Sequence, residues 1–291
     1  MQILDGKLVA EQIKTKIKNS VDSLKEKKSR LPLLATILVG SDKASETYVA
    51  SKHKTAEKLG FLTKDYKFDE TISEKDLINT IETLNSDKEV DAILVQLPLP
   101  KKFDTTKILS YIRDDKDVDG ISYTNIAKLA LSEDGVRPCT PSGILQLLQF
   151  YNIPLDGKKV AIIGRSRIVG RPLGLLLGSK DVNATVIELN SHSENLKELS
   201  KEADVLVSAV GKPLFIDKTF VKKGEVVVDV GINRIKDDSP KGYKIVGDVN
   251  FDEVAPLTSY ITPVPGGIGP LTIACLMQNT LLLYNKHEEN R

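Results

Sequence analysis

The sequence predicts an α/β protein made of two α/β domains with a cleft between them. Three observations carry that expectation. Short apolar runs of strand length alternate with amphipathic stretches of helix length. A second strand–turn–helix unit opens midway, at Lys158–Pro172. The chain has 291 residues, enough for two domains of ordinary size.

The elements follow in order. Val9, Ile13, Ile17, Val21 and Leu24 recur at helical spacing and predict a helix over Lys7–Lys27. Leu33–Val39 is an unbroken apolar run ended by Gly40, the pattern of a strand buried on both faces. Ala44 to Gly60 reads as a helix that the glycine stops. Lys64–Phe68 is a short strand and Glu74–Asn85 a helix. Ala92–Gln96 is a second buried strand running into Leu97-Pro98-Leu99-Pro100, and Asp104–Ile112 is helical. Active groups of such a sheet lie beyond the carboxyl ends of its strands, which marks Gly40 and Gln96 by position. Pro138-Cys-Thr-Pro141 reads as a break before a connecting helix, Ser142–Phe150. Lys158–Ile163 opens the second unit, whose strands continue at Ala184–Leu189, Val205–Ser208 and Val226–Val230. The last helix, about Thr272 to Tyr284, is apolar on most sides and must pack. The expected domains are 1–140 and 141–270, with 271–291 returning to the first.

Bulk properties exclude several classes. The 41 basic and 40 acidic residues give a net charge of +1, no footprint for nucleic acid or an anionic membrane. Tryptophan is absent and aromatics are 5%, which argues against a base-stacking surface. Cys139 and Cys275 are too few for a disulfide framework and lack the near neighbours of a zinc site. No run reaches membrane-spanning length, and the N-terminus lacks the basic-then-apolar pattern of a secretion signal, so a cytoplasmic protein is expected.

Lys52 is the most informative single residue. On a helical wheel Val49, Ala56, Lys52, Leu59 and Tyr48 share an arc of about 100°, with Lys52 near its middle. Lys54 and Lys58 point elsewhere. Burying an ammonium is costly, and desolvation favours the neutral amine, which can exchange protons near pH 7. The bland alternative is a lysine whose stem packs on the stripe while its head reaches water.

Gly164-Arg165-Ser166-Arg167-Ile168-Val169-Gly170-Arg171-Pro172 joins a buried strand to a helix. A helix start attracts a pyrophosphate, and glycines permit close approach, so the turn reads either as an NAD(P) site in a Rossmann-like domain or as a structural glycine turn; the succession of strand, turn, helix, strand and polar loop strengthens the first reading. The spacing is not G-x-G-x-x-G, because Ser166 replaces the middle glycine. After the second strand comes Glu188-Leu189-Asn190-Ser191-His192-Ser193. A carboxylate there usually binds the ribose diol and favours NAD, so Glu188 is one reading; strand alternation could equally aim it at solvent. Arg165 and Ser191 offer the opposite chemistry, a guanidinium and a hydroxyl for a 2′-phosphate, and favour NADP. NADP is preferred, with NAD as the alternative. His192 reads as a solvated loop residue.

Asp115-Lys-Asp117-Val-Asp119-Gly120 has the look of a calcium loop, but its twelfth position is Ile126 instead of glutamate. A polar turn remains, or a carboxylate held by turn geometry for a heterocycle bearing an amino group and a ring N–H; spacing does not decide. Thr262-Pro-Val-Pro-Gly-Gly-Ile-Gly-Pro-Leu-Thr272 is a stiff loop shaped around a ligand or a structural crossover, with Thr272 as the expected helix cap.

Taken in order, several stretches resemble one family. They are Tyr48-Val-Ala-Ser-Lys52, Val95-Gln-Leu-Pro-Leu-Pro100, Lys116-Asp-Val-Asp-Gly120, Pro138-Cys-Thr-Pro141, Gly164-Arg-Ser166 with Ile168-Val-Gly170, Asp229-Val-Gly-Ile-Asn233, Gly247-Asp-Val249 and Thr262 to Pro270. The chain resembles the bifunctional methylenetetrahydrofolate dehydrogenase/methenyltetrahydrofolate cyclohydrolases. The resemblance implies that Lys52 is the catalytic lysine, that Tyr48 lines the folate site, that Gln96 hydrogen-bonds the lysine and that Asp119 holds the pterin. It implies cofactor contacts from Gly164, Arg165, Ser166, Ser191 and Ile232, and folate contacts from Pro265 and Gly267. It also implies tetrahydrofolate substrates, NADP, a place in one-carbon metabolism and purine biosynthesis, no metal, and a homodimer. The chain departs from the family's frequent Cys-His-Ser-x-Thr at Leu189–Ser193, and Glu188 stands where an apolar residue is common. Both departures bear on cofactor choice.

Rival readings are a short-chain dehydrogenase, a dehydrogenase without the hydrolase, and a nucleotide-binding scaffold. Tyr-x-x-x-Lys also marks the first class, but there it follows the glycine turn, whereas Tyr48 precedes Gly164 by over a hundred residues. A scaffold has no need of a basic amine in an apolar stripe.

Overall fold

The computed structural model describes residues 1–238 and 242–290. In chain order the elements are β1 (Gln2–Ile3), α1 (Gly6–Glu26), β2 (Leu33–Val39), α2 (Lys43–Leu59), β3 (Leu62–Phe68), α3 (Glu74–Ser86), β4 (Ala92–Val95), α4 (Thr105–Ser110), α5 (Tyr123–Ala130) and α6 (Cys139–Phe150). They continue as β5 (Lys159–Ile163), α7 (Gly170–Leu177), β6 (Thr185–Leu189), α8 (Leu196–Lys201), β7 (Val205–Ser208), β8 (Val226–Asp229), β9 (Asn233–Lys236), β10 (Tyr243–Val246), α9 (Phe251–Val254), β11 (Tyr260–Ile261) and α10 (Ile268–Glu289). The chain divides into two compact units. One comprises Gln12–Ala127, Gly135–Arg137 and Cys275–Arg291; the other comprises Met1–Glu11, Lys128–Asp134 and Pro138–Ala274.

The first of these units holds a parallel three-stranded sheet in the order β3-β2-β4. Every residue of β2 and β4 is buried, as unbroken apolar strands covered on both faces should be. Leu77, Ile81 and Leu84 of α3 pack with Ile37, Ile93 and Ile108 in its core. The end of α10 is tied to the start of β2 through Asp91, which is fully buried. Arg30 donates to both Asp91 oxygens (2.7 and 2.6 Å), and His287 Nδ1 lies 3.0 Å from Asp91 Oδ1. The Tyr284 hydroxyl donates to the Arg30 carbonyl at 2.9 Å.

The other unit is a parallel six-stranded sheet in the order β1-β11-β8-β7-β5-β6, plus the antiparallel pair β9/β10. Its strands 5, 7 and 8 are almost wholly buried, whereas β6 at the edge is half-exposed. The carboxyl ends of β5, β6, β7 and β8 lie in register: Ile163 pairs with Leu189 and Ser208, and Ser208 with Asp229. The turns that follow these strands therefore gather along one edge of the sheet.

Two helix starts differ from the sequence expectation for one reason. α6 begins at Cys139 and contains Pro141; α10 begins at Ile268 and contains Pro270. Both prolines occupy the first turn, where the missing N–H has no intrahelical acceptor to lose. Thr272 is consequently inside α10 and is not its cap; its hydroxyl meets the Ile268 carbonyl and the Thr140 hydroxyl instead. α10 also runs five residues past Tyr284.

Candidate active site

In the first unit the site is built on α2. Asp42 caps its start by accepting from Ser45 N (2.8 Å), and Gly60, at φ 88°, ends it in the left-handed region. The buried face is Ser45, Lys52, Ala56 and Leu59, with Tyr48 and Val49 half-buried beside it. Lys52 is 5% exposed, so its head does not reach for solvent. Its Nζ donates to Gln96 Oε1 at 3.0 Å and stands 4.7 Å from the Tyr48 ring centroid.

Gln96 follows β4, and its backbone N–H is held by the Ile37 carbonyl of β2 at 2.9 Å. Its side-chain nitrogen donates to the Leu97 carbonyl at 2.6 Å. That bond fixes which way the amide faces, and leaves only the oxygen for Lys52. Three predicted residues, Tyr48, Lys52 and Gln96, thus form one cluster.

Asp119, the fourth, is half-buried on a turn organised by its neighbours. Asp117 is 3% exposed and accepts from Gly120 N (3.0 Å), Ser122 N (2.7 Å) and Asn125 Nδ2 (3.0 Å). Burial pushes its carboxyl up, against the pull of those bonds. Lys116 is buried too; its Nζ donates to the Leu84 and Asp87 carbonyls at the end of α3 (2.8 and 2.6 Å), and burial lowers its pKa. From α10, Asn279 Nδ2 donates to the Val118 and Arg137 carbonyls, both at 2.9 Å. The turn carrying Asp119 is therefore pinned from three sides. The D-x-D-x-D-G spacing pointed to this turn without separating Asp117, the organiser, from Asp119, which only the family resemblance singled out. Asn279 lay too far along the chain to be linked to it.

In the other unit the glycine turn packs against itself. Gly164 has φ 124°, and a Cβ there would stand 2.3 Å from the Ala209 carbonyl oxygen; one at Gly170 would stand 2.0 Å from that of Gly164. The glycines are thus required by the turn's own geometry and by Ala209, the residue that follows β7. The Ser166 hydroxyl accepts from Val169 N (3.2 Å) and Gly170 N (3.4 Å), closing the turn at the start of α7. Arg165 and Ser191 are exposed. The loop after β6 is closed by Ser193 Oγ, which accepts from Asn190 N at 3.0 Å, and His192 is solvent-exposed. Glu188 pairs with Arg171 of α7.

Ile232 is 60% exposed in the turn after β8. Pro265 is exposed and Gly267 buried in the loop before α10, where the Val264–Pro265 peptide is cis. Gly267 is enclosed by the Pro263 carbonyl and Thr262, and Gly6 lets the N-terminal segment cross it, since a Cβ there would stand 1.8 Å from its oxygen. Among the described residues no group of His, Cys, Asp or Glu is placed to hold a metal ion, and no helix is long and apolar enough to cross a membrane.

Comparison with known proteins gives a consistent result. Residues 4–119 match the family model for the tetrahydrofolate dehydrogenase/cyclohydrolase catalytic domain, and residues 138–288 match the one for its NAD(P)-binding domain. The chain belongs to the tetrahydrofolate dehydrogenase/cyclohydrolase family. It is 48% identical over 284 residues to the bifunctional protein FolD of Cytophaga hutchinsonii, covering 97% of this chain and 98% of that one. Its fold matches the bifunctional FolD methylenetetrahydrofolate dehydrogenase/cyclohydrolase of Campylobacter jejuni at a TM-score of 0.92 with 44% identity, covering 98% and 99% of the two chains. It matches the Trypanosoma brucei methylenetetrahydrofolate dehydrogenase-cyclohydrolase, solved with NADP cofactor and inhibitor, at a TM-score of 0.93 with 34% identity and 98% and 97% coverage. The chain is an enzyme of this bifunctional family, a dehydrogenase and cyclohydrolase acting on tetrahydrofolate derivatives with a nicotinamide cofactor. The two matched regions agree with the α/β class and the parallel second sheet expected from the sequence.

Proposed function

We propose that Lys52 is the proton-transfer group of the cyclohydrolase step and that the dehydrogenase step uses NADP. In the first step a hydride leaves the carbon between the two folate nitrogens for the nicotinamide ring. The nitrogens stabilise the resulting cation, so alignment matters more than acid–base help. In the second step water adds to that carbon and loses a proton; the bond to one nitrogen then breaks as that nitrogen is protonated, leaving the 10-formyl product. This step moves protons both ways and calls for a group able to accept and return one. An amine withdrawn from water suits that task and avoids repelling the cation.

The observation that supports this reading best is the Lys52 Nζ, buried and held on the neutral oxygen of Gln96 beside the Tyr48 ring. Gln96 orients the amine without adding charge. Tyr48 lines the folate site. Asp119, presented by the turn that Asp117 and Asn279 pin, accepts hydrogen bonds from the pterin. Residues 1–140 and 271–291 serve folate and catalysis, and 141–270 the cofactor. There Gly164, Arg165, Ser166, Ser191 and Ile232 contact NADP, while Pro265 and Gly267 flank folate. NADP is favoured by the exposed Arg165 and Ser191 and by the NADP bound to the Trypanosoma brucei relative. The enzyme works as a cytoplasmic homodimer in one-carbon metabolism, supplying purine biosynthesis.

Mixing the purified protein with methylenetetrahydrofolate and NADP or NAD, while following methenyl absorbance, tests the reading. Transient methenyl signal that decays, with NADP preferred, is expected. Accumulating methenyl product would remove the hydrolase, and preference for NAD would overturn the cofactor assignment.

A further inference from the structure

Glu188 sits one residue before the end of β6, some two dozen residues past Gly164. In dinucleotide-binding sheets a carboxylate so placed holds the ribose 2′-hydroxyl and repels a 2′-phosphate. Here the carboxylate is engaged elsewhere. It forms an ion pair with Arg171, in the first turn of α7. It also lies over Gly174, one turn further along the same helix face, where a Cβ would come within 2.5 Å of Glu188 Oε1. Val186, two residues back on the same strand face, lies beside Gly178 of that helix run. Strand alternation thus turns Glu188 onto α7, and glycine on the helix makes room for it. Meanwhile Arg165 and Ser191 are exposed, and among the described residues neither makes a hydrogen bond or ion pair through its side chain. The negative group of this corner is neutralised, and a positive one stands open.

We infer that the Arg171–Glu188 pair determines the choice between NADP and NAD. By holding the carboxylate against α7, Arg171 keeps a site whose sequence has the acidic residue of an NAD enzyme open to a 2′-phosphate. Arg171 acts through Glu188 and is a positioning residue; the phosphate itself is held by Arg165 and Ser191. The inference rests on the proposed NADP reading and extends it to a residue pair.

The test is the direct binding of NADP and NAD to the full chain by calorimetry, with dehydrogenase turnover measured alongside. Arg171→Gln releases the carboxylate. It is expected to lower the NADP-to-NAD affinity ratio about tenfold or more, the effect of one uncompensated like charge, with NADP weakened and NAD unchanged or strengthened. Glu188→Gln is expected to keep or raise the ratio. The deciding variant is the double substitution Arg171→Gln/Glu188→Gln, which should return the ratio close to the parent value. A double variant as impaired as Arg171→Gln would show that Arg171 contacts the phosphate itself and overturn the inference. Unchanged ratios in all three would reduce the pair to a surface ion pair and also overturn it. Because binding is read separately from turnover, a parent protein that binds NADP without oxidising folate would fail the proposed reaction and leave the ratio readable.

Discussion

Glu225 offers a quantitative test of how this chain handles buried charge. It lies immediately before β8 and is 1% exposed. One carboxyl oxygen accepts from Lys222 N at 2.9 Å; the other has no hydrogen-bond partner among the described residues. Burial pushes the group up from 4.5 to about 8, so it is protonated at neutral pH. The native state then holds a proton that the unfolded chain releases, and stability falls as pH rises between those two values. The slope is about 1.4 kcal/mol per pH unit, and over that interval the loss is at most about 5 kcal/mol. Glu225→Gln keeps an acceptor for Lys222 N and cannot ionise. Urea unfolding of the full chain is expected to place the variant within about 1 kcal/mol of the parent at pH 5 and several kcal/mol above it at pH 9. The buried Asp229, raised to about 7, adds a slope of the same sign, but both proteins share it and the difference isolates Glu225. Parallel pH–stability curves would refute the reasoning. Dehydrogenase turnover at pH 7 should be unchanged, because Glu225 sits at the amino end of its strand, opposite the turns after β5 and β8.

Three further outcomes are expected. Lys52→Met should cut cyclohydrolase turnover by about 10²–10⁴-fold while folate and NADP still bind; full hydrolysis by the variant would remove the amine from the mechanism. Asp119→Ala should raise the folate KM about tenfold or more in both reactions, the loss of a charge-assisted hydrogen bond, and an unchanged KM would contradict its role. Gly170→Ala places a Cβ 2.0 Å from the Gly164 oxygen and must open the turn. The NADP KM should rise at least about tenfold, and hydrolysis of added methenyl substrate should persist; an unaltered NADP KM would show that the turn does not shape the cofactor site.

Much of the α2 site was legible because helical periodicity is local. The wheel that put Lys52 among Ala56 and Leu59 needed only 3.6 residues per turn, and all three are buried, with Ser45 the fourth buried residue of the helix. Gln96 was legible from the rule for strand ends in α/β sheets. Helix starts at Cys139 and Ile268 were missed because proline was read as a breaker, although the first turn tolerates it. β1 and β11 carry two residues each, too few for a period-2 pattern, and exist only by pairing with each other and with β8; β9 and β10 are as long as β7 and β8 but lack the unbroken buried apolar run that marks those strands. The fate of Glu188 was undecidable for a related reason. Alternation gave the two faces of β6, and only the fold shows that one of them is lined by Arg171 and Gly174.

The stretches Asp229-Val-Gly-Ile-Asn233 and Gly247-Asp-Val249 show what spacing alone does not reach. In the sequence they are two separate matches. In the structure they form one reciprocal unit at the carboxyl end of β8. Asp229 accepts from Gly231 N (2.9 Å), Asp248 N (3.0 Å) and Val249 N (2.9 Å). Asp248 accepts from Val210 N (2.8 Å), Gly211 N (3.1 Å) and Asn233 Nδ2 (2.9 Å). Each glycine serves the other stretch's aspartate: a Cβ at Gly231 would stand 2.3 Å from Asp248 Oδ1, and one at Gly247 would stand 1.8 Å from Asp229 Oδ2. The two carboxylates thereby fasten the turns at 209–211, 230–233 and 247–249 into one block. Burial is the main cause that lifts Asp229 to about 7, with Asp248 adding to it. Neither carboxylate is an obvious catalyst. Both are held out of water because three turns have no regular ladder to satisfy their N–H groups, and a buried unpaired donor costs about 1–3 kcal/mol. The glycine-aspartate pairing is therefore set by the accounting of backbone donors at the end of a sheet, which only the folded chain displays.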